Sequence, residues 1–160
     1  MSIHSLTFRQ ELSTDLQTAW KFFSDPNNLA RITPASMQFK VLSEFHRPDT
    51  YAGQIICYRV SPLWNIPMTW VTEITHVNAP HFFVDEQRKG PYKFWHHQHH
   101  FEETENGVLM RDILHYEIPF GIIGDRADAW LVRKKVMGIF EFRKEVLENY
   151  FPRKGTERKN

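Results

Sequence analysis

The sequence predicts an α+β fold: a curved antiparallel sheet of about seven strands wrapped on a long C-terminal helix, with two short helices after the first strand. Three observations lead there. Between Met37 and Ile118, apolar residues recur largely at every second position, in runs separated by Gly, Pro, Asn and Asp. Within that region Asn106-Gly107 divides two long alternating runs, which is a strong hairpin signal. From Ala127 to Phe151, Val132, Val136, Ile139, Phe140, Val146, Leu147 and Tyr150 form a stripe at helical spacing, with charged residues elsewhere.

The elements follow in order. Leu6, Phe8, Gln10 and Leu12 mark a first strand. Ser13-Thr14-Asp15 offers caps for a helix in which Leu16, Ala19, Trp20 and Phe23 share a face. Asp25-Pro26 ends it and starts a second short helix through Leu29 and Ile32, which Thr33-Pro34 stops. Met37, Phe39, Val41, Ser43 and Phe45 read as the next strand, closed by the turn-rich HRPDTYAG. Gln54 to Val60 follows, with Ile56, Tyr58 and Val60 on one face. Met68 to Val77 and the segment HFFVDEQR supply two more strands. Pro119 to Gly124 breaks the sheet, and Asp125, with Asp128 three residues on, is placed to cap the final helix. That helix, about seven turns or 35 Å long, can cross the sheet.

The hairpin around Asn106-Gly107 carries the chemistry. A two-residue loop there pairs Glu105 with Val108, Glu102 with Arg111, Phe101 with Asp112, His99 with Leu114 and His97 with Tyr116. One face then holds Trp95, His97, His99 and Phe101 with Met110, Asp112, Leu114, Tyr116 and Ile118, and is mostly apolar. The other holds His96, Gln98, His100 and Glu102 with Arg111, Ile113, His115 and Glu117, and reads as a solvated face.

The chain has 160 residues, enough for one domain over residues 1–151, followed by a polar tail, 152–160, expected to be disordered. Hydrophobic residues make up 41% and aromatics 14%, so the interior is bulky. Lys+Arg total 20 against 19 Asp+Glu, which provides no electrostatic basis for a nucleic-acid partner. The single cysteine, Cys57, excludes an internal disulfide and fits a reducing compartment as an inert small hydrophobe. No apolar run approaches a membrane span and the first ten residues lack a leader pattern, so a cytoplasmic protein without stable membrane insertion is expected. Gly-rich phosphate loops, zinc-type Cys/His spacing and nucleophile elbows are missing from the sequence.

A strand, two helices, six strands and a helix resemble the helix-grip fold of the SRPBCC superfamily, which includes START domains, birch-pollen-allergen-like proteins and polyketide cyclases. More narrowly, Asp85-Glu86-Gln87, Gly90-Pro91-Tyr92, Trp95-x-His97-x-His99-x-Phe101, Met110-x-Asp112, Tyr116 and Pro119-Phe120-Gly121 resemble the bacterial ligand-binding SRPBCC domain group. The resemblance implies a cavity between sheet and helix and little about its occupant, because one scaffold hosts carriers and enzymes.

His97 and His99 point the same way, with Asp112 diagonally across from His99. Such a set suits a metal with two imidazoles and one carboxylate, or inward polar groups bonded to Asp112, Tyr116 or a neighbouring strand. With no second histidine pair the latter is the expectation, and neither metal nor cofactor is assigned. Asp85, beside Phe83, either orients a ligand's polar end or pairs with Arg59 or Arg111; Glu73 carries the same choice. Trp64 and Ile66 suit a lid, or packing on the helix or a dimer partner. Trp20, Trp130, Phe140 and Phe142 are expected in the core.

The leading reading is a carrier of a small hydrophobic or aromatic molecule, monomeric or homodimeric. Its walls would be Phe83, Trp95, Phe101, Leu114, Tyr116, Val136 and Phe140, with Asp85, His97, His99 and Asp112 meeting the ligand's polar group. The alternatives are a cyclase or dehydratase with His99 or Asp112 as base, and a structural or partner-binding module.

Overall fold

Alternation, burial and hydrogen bonding agree along seven strands: β1 (His4–Leu12), β2 (Lys40–Val41), β3 (Gln54–Val60), β4 (Met68–Asn78), β5 (Phe82–Lys89), β6 (Phe94–Thr104) and β7 (Gly107–Glu117). The structure, a computed structural model, describes residues 3–45, 49–61, 66–119 and 121–152, with the backbone alone for 121–129. All neighbouring strands are antiparallel, in the order β1-β7-β6-β5-β4-β3-β2. The expected α+β architecture of sheet and long helix is present. Register shifts in β4 at Val71/Thr72 and Ile74/His76 supply the bends that curve such a sheet.

Helix α1 (Leu16–Phe23) starts where the Asp15 carboxylate accepts the Thr18 N–H at 2.8 Å, and it buries Leu16, Ala19 and Trp20. A 3-10 helix, Pro26–Ile32, follows behind the Asp25 cap, and a second, Ala35–Met37, follows Pro34. Helix α2 runs from Gly121 to Tyr150. It begins earlier than expected, so Asp125 lies inside the helix and not at its cap.

The strand expected over Met37 to Phe45 shrinks to Lys40–Val41. Met37 ends the second 3-10 helix and Gln38 takes a left-handed conformation, φ 46°. Past Val41 the Leu42 N–H still donates to the Cys57 carbonyl at 2.8 Å. The Cys57 N–H, however, donates to the Ser43 hydroxyl at 2.7 Å, so a side chain takes the place of the next backbone acceptor. Trp130 also departs from expectation, since it is 67% exposed, whereas Trp20 and Phe140 are buried. Trp64, most of the HRPDTYAG turn's first half, Phe120 and the tail from 153 onward lie outside the described residues.

The β6–β7 turn is one residue earlier than Asn106-Gly107. Glu105 and Asn106 form the loop, and Thr104 pairs with Gly107. Gly107 is needed elsewhere: its φ is +143°, and a Cβ there would collide with the Leu12 carbonyl oxygen. The slip is even, so each side chain keeps its face while its partner changes. His99 faces Asp112, His97 faces Leu114, Trp95 faces Tyr116, Phe101 faces Met110 and Glu102 faces Leu109. Gly107→Ala is therefore expected to cost about 1–3 kcal/mol, read as a lower urea midpoint; an unchanged midpoint would refute this account of the turn.

Two apolar clusters form between the sheet and the helices. One gathers Leu12, Trp20, Ile56, Phe101, Met110 and Leu147 under α1. The other gathers Leu6, Leu114, Tyr116, Ile118, Val136 and Phe140 under α2. A polar seam separates them. On β6, His97 and His99 lie between Trp95 and Phe101, and on β7 Asp112 lies between Met110 and Leu114. On α2, Arg143 lies between Phe140 and Leu147. Even β1 follows the pattern, for the Gln10 amide, between Phe8 and Leu12, donates to the Lys144 carbonyl at 2.9 Å.

Candidate functional site

The curved sheet and α2 enclose a cavity of about 480 Å³, within the range of small-molecule sites. Leu29, Tyr58, Trp70, Ile118 and Val132 contribute to its apolar wall. Phe83, Asp85, Trp95, His97, His99, Val136 and Phe140 line it as well. Asp112, Phe101, Leu114 and Tyr116 do not. Phe101 packs instead against Trp20, with ring centroids 6.1 Å apart, and Leu114 is fully buried in the cluster under α2. Tyr116 stacks on His4 at 5.2 Å, and its buried hydroxyl has no hydrogen-bond partner among the described residues. Asp112 stands behind the two histidines. The structure thus separates groups that the sequence alone placed on one wall.

The polar end of the cavity is built from strand periodicity. His97 and His99 are two residues apart on β6, so both rings emerge from one face, centroids 3.9 Å apart. Asp85 of β5 is the cross-strand partner of His97, and Asp112 of β7 is that of His99. His99 Nε2 is 2.8 Å from Asp85 Oδ2, and His97 Nε2 is 3.0 Å from Asp112 Oδ1. The other ring nitrogens complete the square: His99 Nδ1 lies 2.8 Å from Asp112 Oδ1, and His97 Nδ1 lies 3.4 Å from Asp85 Oδ2. The short His99–Asp112 approach is out of line for a hydrogen bond and acts as charge contact.

Arg143, 7% exposed, brings a guanidinium to the same end of the cavity. It lies over the Phe140 ring at 4.8 Å, and its Nε and Nη1 have no hydrogen-bond partner among the described residues. Burial lowers its affinity for a proton, opposed by the Asp112 and Asp85 carboxylates. Burial likewise favours neutral His99, but Asp112 and Asp85 reverse this and raise its pKa. His97 goes the other way, lowered by burial and by the neighbouring His99. Both carboxyls stay ionised against burial, because the histidines and, at Asp85, Arg143 hold their pKa values down. Two carboxylates thus face two imidazoles and a guanidinium, and of the two rings His99 holds a proton more readily than His97. Asp85, His97 and His99 line the cavity, as do Asp25, Tyr58, Tyr92 and Lys135, whereas Asp112 stands too far back to act as a base on a bound molecule.

Asp85 turns to the histidines and not to Arg59 or Arg111. Glu73 lies on the outer face, where Arg88 bridges it to Glu86. That face also carries the other histidines, with His96 on Glu86 at 2.9 Å and His100 on Gln98 at 3.0 Å. Ile66 is 56% exposed. Arg143 is the residue the sequence reading missed. Its signal was its spacing, because Val136, Phe140, Arg143 and Leu147 step by four, three and four along one helix face. A cation on an apolar stripe marks a buried charge.

No protein-family model matches the chain, and no curated protein matches it. Solved structures do match in fold. TTHA0849 from Thermus thermophilus superposes with a TM-score of 0.69 at 14% identity, covering 91% of this chain and 95% of that one. Ginseng major latex-like protein 151 from Panax ginseng gives 0.68 at 14% identity, covering 94% and 98%. A START superfamily protein from Mycobacterium smegmatis gives 0.67 at 11% identity, covering 92% and 97%. At these identities the likeness is one of fold alone, and it is the expected helix-grip arrangement of a curved antiparallel sheet on a long C-terminal helix. No helix among the described residues is long and apolar enough to cross a membrane.

Proposed function

We propose that this helix-grip chain binds a small hydrophobic or aromatic molecule whose one polar end is an oxygen acceptor, a carboxylate or a carbonyl. One observation carries this reading: the apolar cavity ends at Arg143, whose buried Nε and Nη1 have no hydrogen-bond partner among the described residues. A buried donor left unsatisfied is costly, and a guanidinium offers only donors. A ligand oxygen satisfies it, while the aromatic walls take the rest of the molecule. The START-like neighbours lend the fold-level expectation of a hydrophobic ligand.

Trp70 and Trp95 line the cavity, so their fluorescence reports its filling. In a titration, a naphthalene carboxylic acid should quench it saturably. Arg143→Met should weaken the acid about 10- to 100-fold, the value of a charge-assisted hydrogen bond. The same variant should leave naphthalene itself, which has no acceptor, within a few-fold. Equal affinity of wild type and variant for the acid would sink the acceptor assignment. No saturable quenching by either compound would sink the cavity-binding reading.

A further inference from the structure

We infer that Asp85, His97 and His99 form a site for one divalent first-row transition ion at the polar end of the cavity. The site goes beyond the binding of an organic ligand and stands whether or not one is present. Its carboxylate is Asp85 of β5, not Asp112.

Spacing comes first. One donor atom from each of the three residues lies within 4.8 Å of the others. Asp85 Oδ2 is 2.8 Å from His99 Nε2 and 3.4 Å from His97 Nδ1. An ion bonded at about 2.0–2.2 Å keeps neighbouring donors roughly 3–3.5 Å apart, so small side-chain shifts suffice.

Orientation supports the same assignment. Each imidazole has one nitrogen beside Asp85 and the other beside Asp112 Oδ1, in a hydrogen bond of 3.0 Å from His97 and a charge contact of 2.8 Å from His99. Metal-binding histidines characteristically give their second nitrogen to a carboxylate, which fixes the ring and its tautomer. Here Asp112 does so for His97 and stands beside the second nitrogen of His99. Placement agrees with that division, since the three ligands line the cavity and Asp112 stands behind them. All four residues sit on adjacent strands of one sheet, a frame that holds side chains more firmly than loops do.

The donor set selects the ion. Two imidazoles and one carboxylate suit zinc or ferrous iron, whereas calcium and magnesium prefer oxygen alone. Three protein ligands leave coordination positions open toward the cavity. With neutral imidazoles, the ion, Arg143, Asp85 and Asp112 leave one net positive charge, which an anionic group in the cavity neutralises. Arg143 and the ion would then face the same oxygen-bearing head.

The test uses metal alone. Chelator-treated protein is titrated with cobalt(II), read by its visible absorption, and zinc(II) is used as competitor. The expected result is one equivalent bound and displaced by zinc. Asp85→Asn and His99→Gln should each weaken binding at least a hundredfold, with near-ultraviolet circular dichroism confirming that the variants fold. Asp112→Asn should keep the stoichiometry and weaken affinity about 10- to 100-fold. His100→Ala, on the outer face, should change nothing. Failure of wild type to bind one equivalent overturns the proposal. So does retained affinity in both folded Asp85→Asn and His99→Gln proteins, or loss on His100→Ala, which would place the ion on the outer histidines. None of these readouts depends on an organic ligand, so this site and the donor role of Arg143 fail separately.

Discussion

Asp112→Asn, measured by urea denaturation of chelator-treated protein, is expected to lower the unfolding free energy by about 3–5 kcal/mol. The substitution keeps the size of the side chain and removes its charge. Asp112 is 4% exposed and contacts His97 Nε2 and His99 Nδ1. With it gone, the two imidazoles and the guanidinium share Asp85 alone, in surroundings too dry to screen a charge. His99 then loses one of the two carboxylates that favour its protonated form. A loss below about 1 kcal/mol would mean that the seam does not depend on the Asp112 charge, and the role given to that carboxylate would be wrong.

Phe140→Ala is expected to cost a similar amount, about 3–5 kcal/mol, by a different route. Phe140 stacks on Phe8 with centroids 3.8 Å apart and planes 7° from parallel, the contact that presses α2 onto β1. It also meets the His97 ring edge-on at 5.6 Å and lies under Arg143. Its loss removes packing from both the cluster under α2 and the cavity wall. The double variant with Phe8→Ala should recover about 0.5–1.5 kcal/mol of coupling, and strict additivity would deny the ring pair any role beyond burial. The enlarged cavity should in addition accept bulkier aromatic acids than wild type.

The fold was readable because period and punctuation act locally. Alternation in β3, β6 and β7 assigned the faces correctly, and an even slip in register could not disturb them. What failed depends on distant partners. Asn106-Gly107 carries a hairpin signal, but the Leu12 carbonyl claims the glycine, and nothing near residue 107 announces Leu12. Met37 to Phe45 alternates like a strand, yet Ser43 and Gln38 redirect the backbone against β3. In the site, His97 and His99 could be seen to converge from one strand. Which carboxylate stands in front and which behind was set by the pairing of β5 with β6, a relation between segments. Arg143 was legible in principle, since a charge in phase with Val136, Phe140 and Leu147 breaks an otherwise apolar stripe.

The sheet order has one more consequence. β1 pairs with β7 from His4↔Tyr116 to Leu12↔Val108, contacts that span most of the chain. During synthesis β1 is made well before β7 and must wait for it. Until β7 exists, Leu6 and Leu12 have no sheet to join, whereas β3 through β5 can already form their meander. Closure of so long a loop is slow, in the range of milliseconds to seconds for domains rich in distant pairings. β1 is thus among the last of these strands to find its place, and Leu6 and Leu12 stay exposed on it until β7 arrives.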